Sequence, residues 1–412
     1  MGFEQKDRQV LRELAKKVAE IGHHPRQAKR REMWRRHNGL EKVKPMVLVF
    51  PECSWGEILP DSTLQCADGL ARSYEMHFRR QVYYWEHIRD DNVTEPWVKV
   101  GLAWRSTGWG LEPGFIRSDM ARGAWHIDPP IKDPEEDIKK LKFPDLVIDE
   151  EATQRNFEAV REAVGDILEV KIHRRIFAWN FTGLANLMIY LRGLDQMMWD
   201  MAERPEWVNR VMSFLAEGNM RLLDQVEAYD KLDLVNTDDY VGSGGLAYTD
   251  ELPAEGFTGR VRLRDLWGFA EAQELVGVSP AMHEEFVFRH QRPMLERFGL
   301  NCYGCCEPVT DRLEYVLKFP HMRRISISPW ADRRKAAEGL GDKYIFSSKP
   351  NPAHLVGDFD EDFVRAYIRE TLDIAKDCIL EIVLKDVHTV EHDASRLWAW
   401  TRIAQEETGG LD

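Results

Sequence analysis

Short apolar runs rich in β-branched and aromatic residues alternate along the chain with longer segments whose apolar positions recur every three or four residues. The first pattern predicts buried strands, the second amphipathic helices. Strands are expected at 46–50, 98–104, 167–172, 232–237, 299–303, 324–328, 344–346 and 379–384, and helices at 63–91, 152–164, 185–203, 205–229, 279–297, 309–319, 332–340, 361–376 and 393–407. Pro205 suits a first helical turn, and Ser279-Pro280 reads as a capping serine followed by proline. Strands alternating with helices predict an α/β chain, and about eight strands is the number that closes a TIM-type (β/α)8 barrel. Residues 4–36 read as charged helices, so 1–44 is an N-terminal helical extension and 45–412 the barrel. The stretches 105–150 and 240–278, rich in Gly, Pro and Asp, read as long loops at the carboxyl face.

The length, 412 residues, suits one barrel with additions, and 43% hydrophobic residues supply a large core. No apolar run is long enough for a membrane span. The segment MGFEQKDRQVLRELAKK is unlike an export signal, and Lys6 stands where a myristoylation motif needs Ser or Thr. A net charge of −14 argues against nucleic acid as the main partner, despite the basic cluster Arg26 to Arg36, which reads as a solvated helix face or a contact for an acidic partner. Six cysteines in so long a chain do not make a disulfide scaffold, so a cytoplasmic location is expected. Cys302, Cys305 and Cys306 stand close together, a clustering that suggests metal or redox chemistry.

Barrel catalysis sits where strands end. Asp238-Asp239 end the expected fourth strand, Cys305-Cys306-Glu307 follow the fifth, Ser328-Pro329-Trp330 the sixth, Lys349 and Asn351 the seventh, and Asp386, His388, Glu391 and His392 the eighth. Thiolates favour zinc, so Cys305, Cys306 and His388 are candidate metal ligands, with buried packing cysteines and a structural histidine as the plainer reading. Side chains alternate along a strand, so one of Asp238 and Asp239 faces the barrel mouth, where it orients a substrate group or merely caps a loop. Of the 14 tryptophans, Trp104, Trp179 and Trp330 fall in or beside expected loops and are candidates for a flat apolar slot.

The order of segments FAWNFTGLANLMIYLRGLDQMMWDMAERPEWV, LDLVNTDDYVGSGGL, GLNCYGCCEPVTDRLEYVL, RISISPW and YIFSSKPNP resembles the uroporphyrinogen-decarboxylase-like superfamily over roughly residues 45–405. The porphyrinogen-binding signature P-V-W-x-M-R-Q-A-G-R of the true decarboxylases is missing; the first-strand region reads VLVFPECSWGEILP. The resemblance therefore points to the corrinoid-dependent methyltransferase branch. Those proteins carry H-x-C-G after the fifth strand and a further Cys after the eighth, which hold zinc. Here Tyr303-Gly304-Cys305-Cys306 fills the first motif, with Cys305 at the thiolate position and Tyr303 in place of histidine, and His388 stands near the second. The changed ligand set leaves two readings open, zinc held differently or a protein acid in its place.

An aryl methyl ether gives up its methyl only if its oxygen becomes a better leaving group, which needs a Lewis acid or a general acid. Asp239, Tyr303, Glu307 and His388 are the candidate catalytic acids; Trp104, Trp179, Asp238 and Trp330 are the candidate substrate contacts. The resemblance implies a methyltransferase of the O-demethylase kind, with a small methylated donor and a cobalamin (corrinoid) carried by a separate corrinoid protein, and permits a homodimer. The alternatives are a decarboxylase or lyase of the same fold acting on a small acid, and a non-catalytic metal- or ligand-binding barrel.

Overall fold

A computed structural model of the chain describes residues 2–119, 125–177 and 179–410. Eight parallel strands carry the fold: β1 Met46–Val49, β2 Trp97–Gly101, β3 Glu169–His173, β4 Trp267–Ala270, β5 Leu300–Tyr303, β6 Met322–Ile327, β7 Ile345–Ser348 and β8 Ile379–Leu384. Six of them form one parallel sheet in the order β1-β8-β7-β6-β5-β4, and β2 pairs with β3 in a separate parallel ladder. Every residue of β1, β4, β5, β7 and β8 is buried, as expected of parallel strands covered on both faces.

Two seams separate the sheets, and side chains work across both. Beside β1, the Val47 and Val49 amides donate to the carboxylates of Asp91 (2.8 Å) and Asp90 (2.9 Å). Beside β3, Asp233 takes the Arg174 amide on its carboxylate at 2.7 Å and returns its own amide to the Arg174 carbonyl. The expected strand at 232–237 does not form. Asp233 and Asn236 spend their polar groups on neighbouring backbone, as Asn236 does on the Leu252 carbonyl, the competition that keeps Asp and Asn out of ladders. Of the eight parallel strands, the one not expected from the sequence is β4, four residues with a central glycine inside the stretch 240–278, expected to be a long loop.

The other expected long loop, 105–150, holds two antiparallel pairs, Trp104–Ser106 with Leu146–Ile148 and Gly114–Arg117 with Trp125–Asp128. The expected helix 185–203 is two helices, Leu184–Arg192 and Leu194–Glu203, broken at Gly193 with φ 87°. Pro205 begins Pro205–Ala228, and Ser279 caps the next helical run by accepting the Met282 amide.

The N-terminal helices are built into the fold. Gln5–His23 buries Leu11, Ala15, Val18 and Ile21 at helical spacing. These join Phe78, Val82, Val160 and Val164 and cover Val98 and Val100 of β2. Pro25–Asn38 ends with His37 and Asn38 inside the molecule, where Asn38 donates to the carbonyls of Leu246 and Tyr248 at 2.8 and 2.7 Å. The basic cluster is answered within the chain: Arg31 grips Glu95, Arg36 pairs with Glu41 and Arg35 with Asp250. No helix among the described residues is long and apolar enough to cross a membrane.

The six-stranded sheet packs against a stretch of its own chain. A β-carbon on Gly242 would lie 2.6 Å from Cys302, on Gly244 2.8 Å from Val383, and on Gly245 2.6 Å from Arg324. All three glycines have positive φ, so the segment needs both the backbone freedom and the missing side chain. It lies against β5, β8 and β6 in turn.

Candidate active site

Four groups of polar side chains gather at or below the carboxyl ends of the strands. The first surrounds Cys305. Gly304, at φ 89°, turns the chain out of β5. Glu307, buried below the turn, accepts the Cys305 amide at 2.8 Å and the Ala272 amide at 3.1 Å, and so ties the ends of β5 and β4. The half-buried Cys305 sulfur lies 3.3 Å from the Lys385 ammonium, 3.5 Å from the Ser243 hydroxyl and 3.6 Å from the Cys306 sulfur. Cys306 is exposed and reaches the Asp386 carboxylate at 3.4 Å. The Cys306 thiol hydrogen bond, the Lys385 charge and the Ser243 hydroxyl together outweigh burial and draw the Cys305 thiol down to about 5. Cys305 is therefore a thiolate at neutral pH. The same thiolate and Asp386 push the Cys306 thiol up and, against burial, hold Lys385 charged.

The second group centres on Asp239. It accepts from His173 Nε2 at 2.8 Å, Lys99 Nζ at 3.0 Å and Arg175 at 3.3 Å. Burial opposes its charge, but the His173 hydrogen bond and these cations overcome it and hold the carboxyl well below the ordinary range. Lys99 also reaches Asp238 at 2.7 Å. Arg175 donates to the Tyr240 carbonyl at 2.7 Å, so this group connects through residues 240–243 to Ser243 and the Cys305 group.

The third group lies beneath the rim. Buried Glu271, just past β4, accepts the Trp179 indole N–H at 2.9 Å and the Gln273 amide at 2.8 Å. Burial, with Glu274 and Glu307 nearby, pushes its carboxyl up to about 8, so it is mostly protonated at neutral pH. The fourth group is interior. Glu381 of β8 pairs with Arg324 of β6 (2.9 Å) and His37 (3.1 Å) and accepts the Ser347 hydroxyl, which in turn receives the Lys349 ammonium at 2.8 Å. Arg324 also donates to Asn38 at 2.7 Å. Burial draws the Lys349 amine down to about 7.

The residues expected from the sequence divide among these groups. Cys305 and Cys306 stand together. Glu307 sits in the same turn, but both its oxygens are engaged by backbone amides, so it braces the loop. Asp238 and Asp239 share Lys99. Trp179 binds Glu271, and Trp104 lies 6.3 Å from the Phe181 ring. Tyr303 departs from expectation. Its neighbour Cys302 faces the interior, 3.8 Å from Arg324, so alternation turns the tyrosine toward the helices. There its ring packs on Phe288 and Phe319, and its hydroxyl has no partner among the described residues. His388 is exposed and forms no hydrogen bond or ion pair among the described residues; the cation next to Cys305 is Lys385. Trp330 is 67% exposed and makes no ring contact with another tryptophan among the described residues.

The sequence reading missed Lys385, Ser243, Lys99, His173, Arg175 and Glu271. One signal was available: Lys99 stands between two valines in a short β-run, and a lysine within such a strand needs a partner inside.

A zinc ion does not fit the Cys305 group as it stands. Among the described residues no three His, Cys, Asp or Glu side chains are placed to hold a metal. The Lys385 ammonium, moreover, already supplies the positive charge against the sulfur.

No protein-family model matches the chain, and no characterised protein matches its sequence.

Proposed function

We propose that the eight parallel strands close as a (β/α)8 barrel of the uroporphyrinogen-decarboxylase-like kind, and that the chain is a methyltransferase. A small methylated donor, a methoxylated aromatic, would lose its methyl group to the corrinoid of a separate protein. The observation that carries this reading is the Cys305–Lys385–Ser243 group at the carboxyl edge, where barrel enzymes do their chemistry. The corrinoid supplies the cobalt(I) nucleophile; what the chain must supply is stabilisation of the departing oxygen.

Of the acids expected for that task, Asp239 is held ionised and Glu307 is spent on backbone amides. Tyr303 faces the helices and His388 points to solvent. Lys385 takes the role: its ammonium stays charged beside a thiolate and can donate a hydrogen bond to a phenolate oxygen as that oxygen gains charge. Ser243 and Asp386 position that ammonium. Cys305, as a thiolate, fixes Lys385 in place and keeps it protonated.

Purified protein mixed with a methoxylated aromatic and a reduced corrinoid protein is expected to produce the methyl-cobalt absorption band. Lys385→Met is expected to slow its growth by about 100-fold, the usual loss when one stabilising donor is removed. Absence of the band with every methylated donor tried would end this reading.

A lyase or decarboxylase is the second reading. Lys349 favours it, because a buried amine drawn down to about 7 is partly neutral and can condense with a carbonyl group. Borohydride trapping of a keto acid on Lys349, seen by mass spectrometry, separates the two.

A further inference from the structure

Cys306 has no task in the methyl transfer proposed above, yet its sulfur stands 3.6 Å from that of Cys305. The two sulfurs differ in surroundings. Cys305 is half-buried, with the Lys385 ammonium at 3.3 Å and the Ser243 hydroxyl at 3.5 Å. Cys306 is exposed, and its thiol donates to Asp386 Oδ2 at 3.4 Å. A cation beside a sulfur favours the nucleophilic thiolate, and a carboxylate beside one opposes it. One sulfur is thus placed to attack and its neighbour to wait as a thiol. Of the other cysteines, Cys302 turns inward, 3.8 Å from Arg324, Cys66 and Cys378 are buried, and the exposed Cys53 pairs with no other sulfur among the described residues.

We propose that Cys305 and Cys306 are a peroxide-reactive pair, in which a hydroperoxide oxidises Cys305 and Cys306 closes on it as a disulfide. The Cys305 sulfur attacks the peroxide. An S–O bond forms, the O–O bond breaks, and the departing oxygen takes a proton from solvent and leaves as water or an alcohol. The product is a sulfenic acid. The Cys306 sulfur then attacks the Cys305 sulfur. An S–S bond forms, the S–O bond breaks, and the hydroxide leaves as water with the Cys306 proton. In sum, two thiols lose two electrons and two protons, and one hydroperoxide gains them.

The geometry makes this disulfide a reversible one. The sulfurs must close from 3.6 Å to a bond of about 2.05 Å. Cα atoms of adjacent residues lie about 3.8 Å apart across a trans peptide, closer than the roughly 4.4–6.8 Å of an ordinary disulfide. The ring is therefore strained and readily reduced, and Cys306 at the surface is open to a reducing thiol. Closure also takes the anionic sulfur away from Lys385, so the charge of the site changes with its redox state.

The test uses the whole chain and no substrate, so its result is independent of methyl transfer. Reduced protein is treated with a few equivalents of hydrogen peroxide, unfolded in iodoacetamide and digested with trypsin. Residues 298–312 are released as one peptide holding Cys302, Cys305 and Cys306. The expected product is alkylated at Cys302 alone and two hydrogens lighter at Cys305–Cys306, is restored by dithiothreitol, and comes with Cys53 still alkylated. Cys306→Ser is expected to leave Cys305 as a sulfenic acid that dimedone captures, and Cys305→Ser to leave Cys306 a thiol, with folding checked by circular dichroism. A Cys305 that runs on to the sulfinic acid without a disulfide overturns the inference. So does a disulfide from Cys305 to Cys302 or Cys53, or a peptide that keeps three free thiols. These outcomes are read on the unaltered chain and decide the matter whatever the variants do.

Discussion

The Lys385 ammonium stands 3.3 Å from the Cys305 sulfur, although the residues are 80 positions apart. One follows β8 and the other β5. The pair joins the ends of two strands that are not neighbours in the sheet; with the Cys306 thiol it draws the Cys305 thiol down, and against burial it holds Lys385 charged.

The first expectation follows from that thiolate. Alkylation of Cys305 by iodoacetamide should be fast and nearly independent of pH above about 6, and should fall away as pH drops through about 5. Cys306, pushed the other way, should react only in alkaline solution. Lys385→Met should return the Cys305 midpoint toward the ordinary thiol value of about 8.5. Peptide mass spectrometry over a pH series reads all three, and a midpoint unmoved in the variant would contradict the pairing.

Glu271 makes a prediction about stability. Burial first, then Glu274 and Glu307, raise its folded pKa to about 8. The native state therefore holds a proton that the unfolded chain releases near about 4.3. Its contribution is full below that value and is lost as pH rises through about 8. Glu271→Gln should remove much of this decline. The Tm gap between variant and parent should widen from pH 5 to pH 8, by on the order of a few degrees. A constant gap would show that the carboxyl is not buried as described.

Lys349 runs in the opposite sense. Its folded pKa lies near 7, depressed by burial, while the unfolded chain keeps its proton to about 10.4. Stability from this group should therefore rise with pH between those values and be lost as pH falls through about 7. Lys349→Met should flatten that rise in urea titrations from pH 7 to pH 10. An unchanged slope would place the effect elsewhere.

Asp239 faces Lys99, His173 and Arg175. Removing it leaves Arg175 and His173 without their carboxylate partner and Lys99 with Asp238 alone in a largely buried space, so Asp239→Ala should cost about 3–5 kcal/mol, the usual penalty for breaking a buried pair. Urea denaturation at neutral pH checks this. A loss under about 1 kcal/mol would mean the cations find water instead.

Much of this fold was legible in the sequence, because β8, β6 and β5 are apolar runs between helical segments and Pro205 and Ser279 punctuate as propensity demands. The failures have local causes. β4 is short and contains glycine, so its apolar signal resembles a loop. Residues 232–237 look like a strand, yet Asp233 and Asn236 divert the backbone hydrogen bonds. The site was legible only in part. Cys305 and Asp239 lie where strands end, and that was visible. Lys385, Ser243 and His173 come to them from distant segments, and nothing local to those residues marks the meeting. Tyr303 was misassigned through the phase of a single strand, since one position separates the interior from the helix layer.

The Gly242–Gly245 stretch runs with no slack: its backbone is pressed so close to Cys302, Val383 and Arg324 that a side chain at any of its three glycines would collide with β5, β8 or β6. Because the stretch contains Ser243 and follows closely on Asp239, any displacement of it would disturb the two charged groups together.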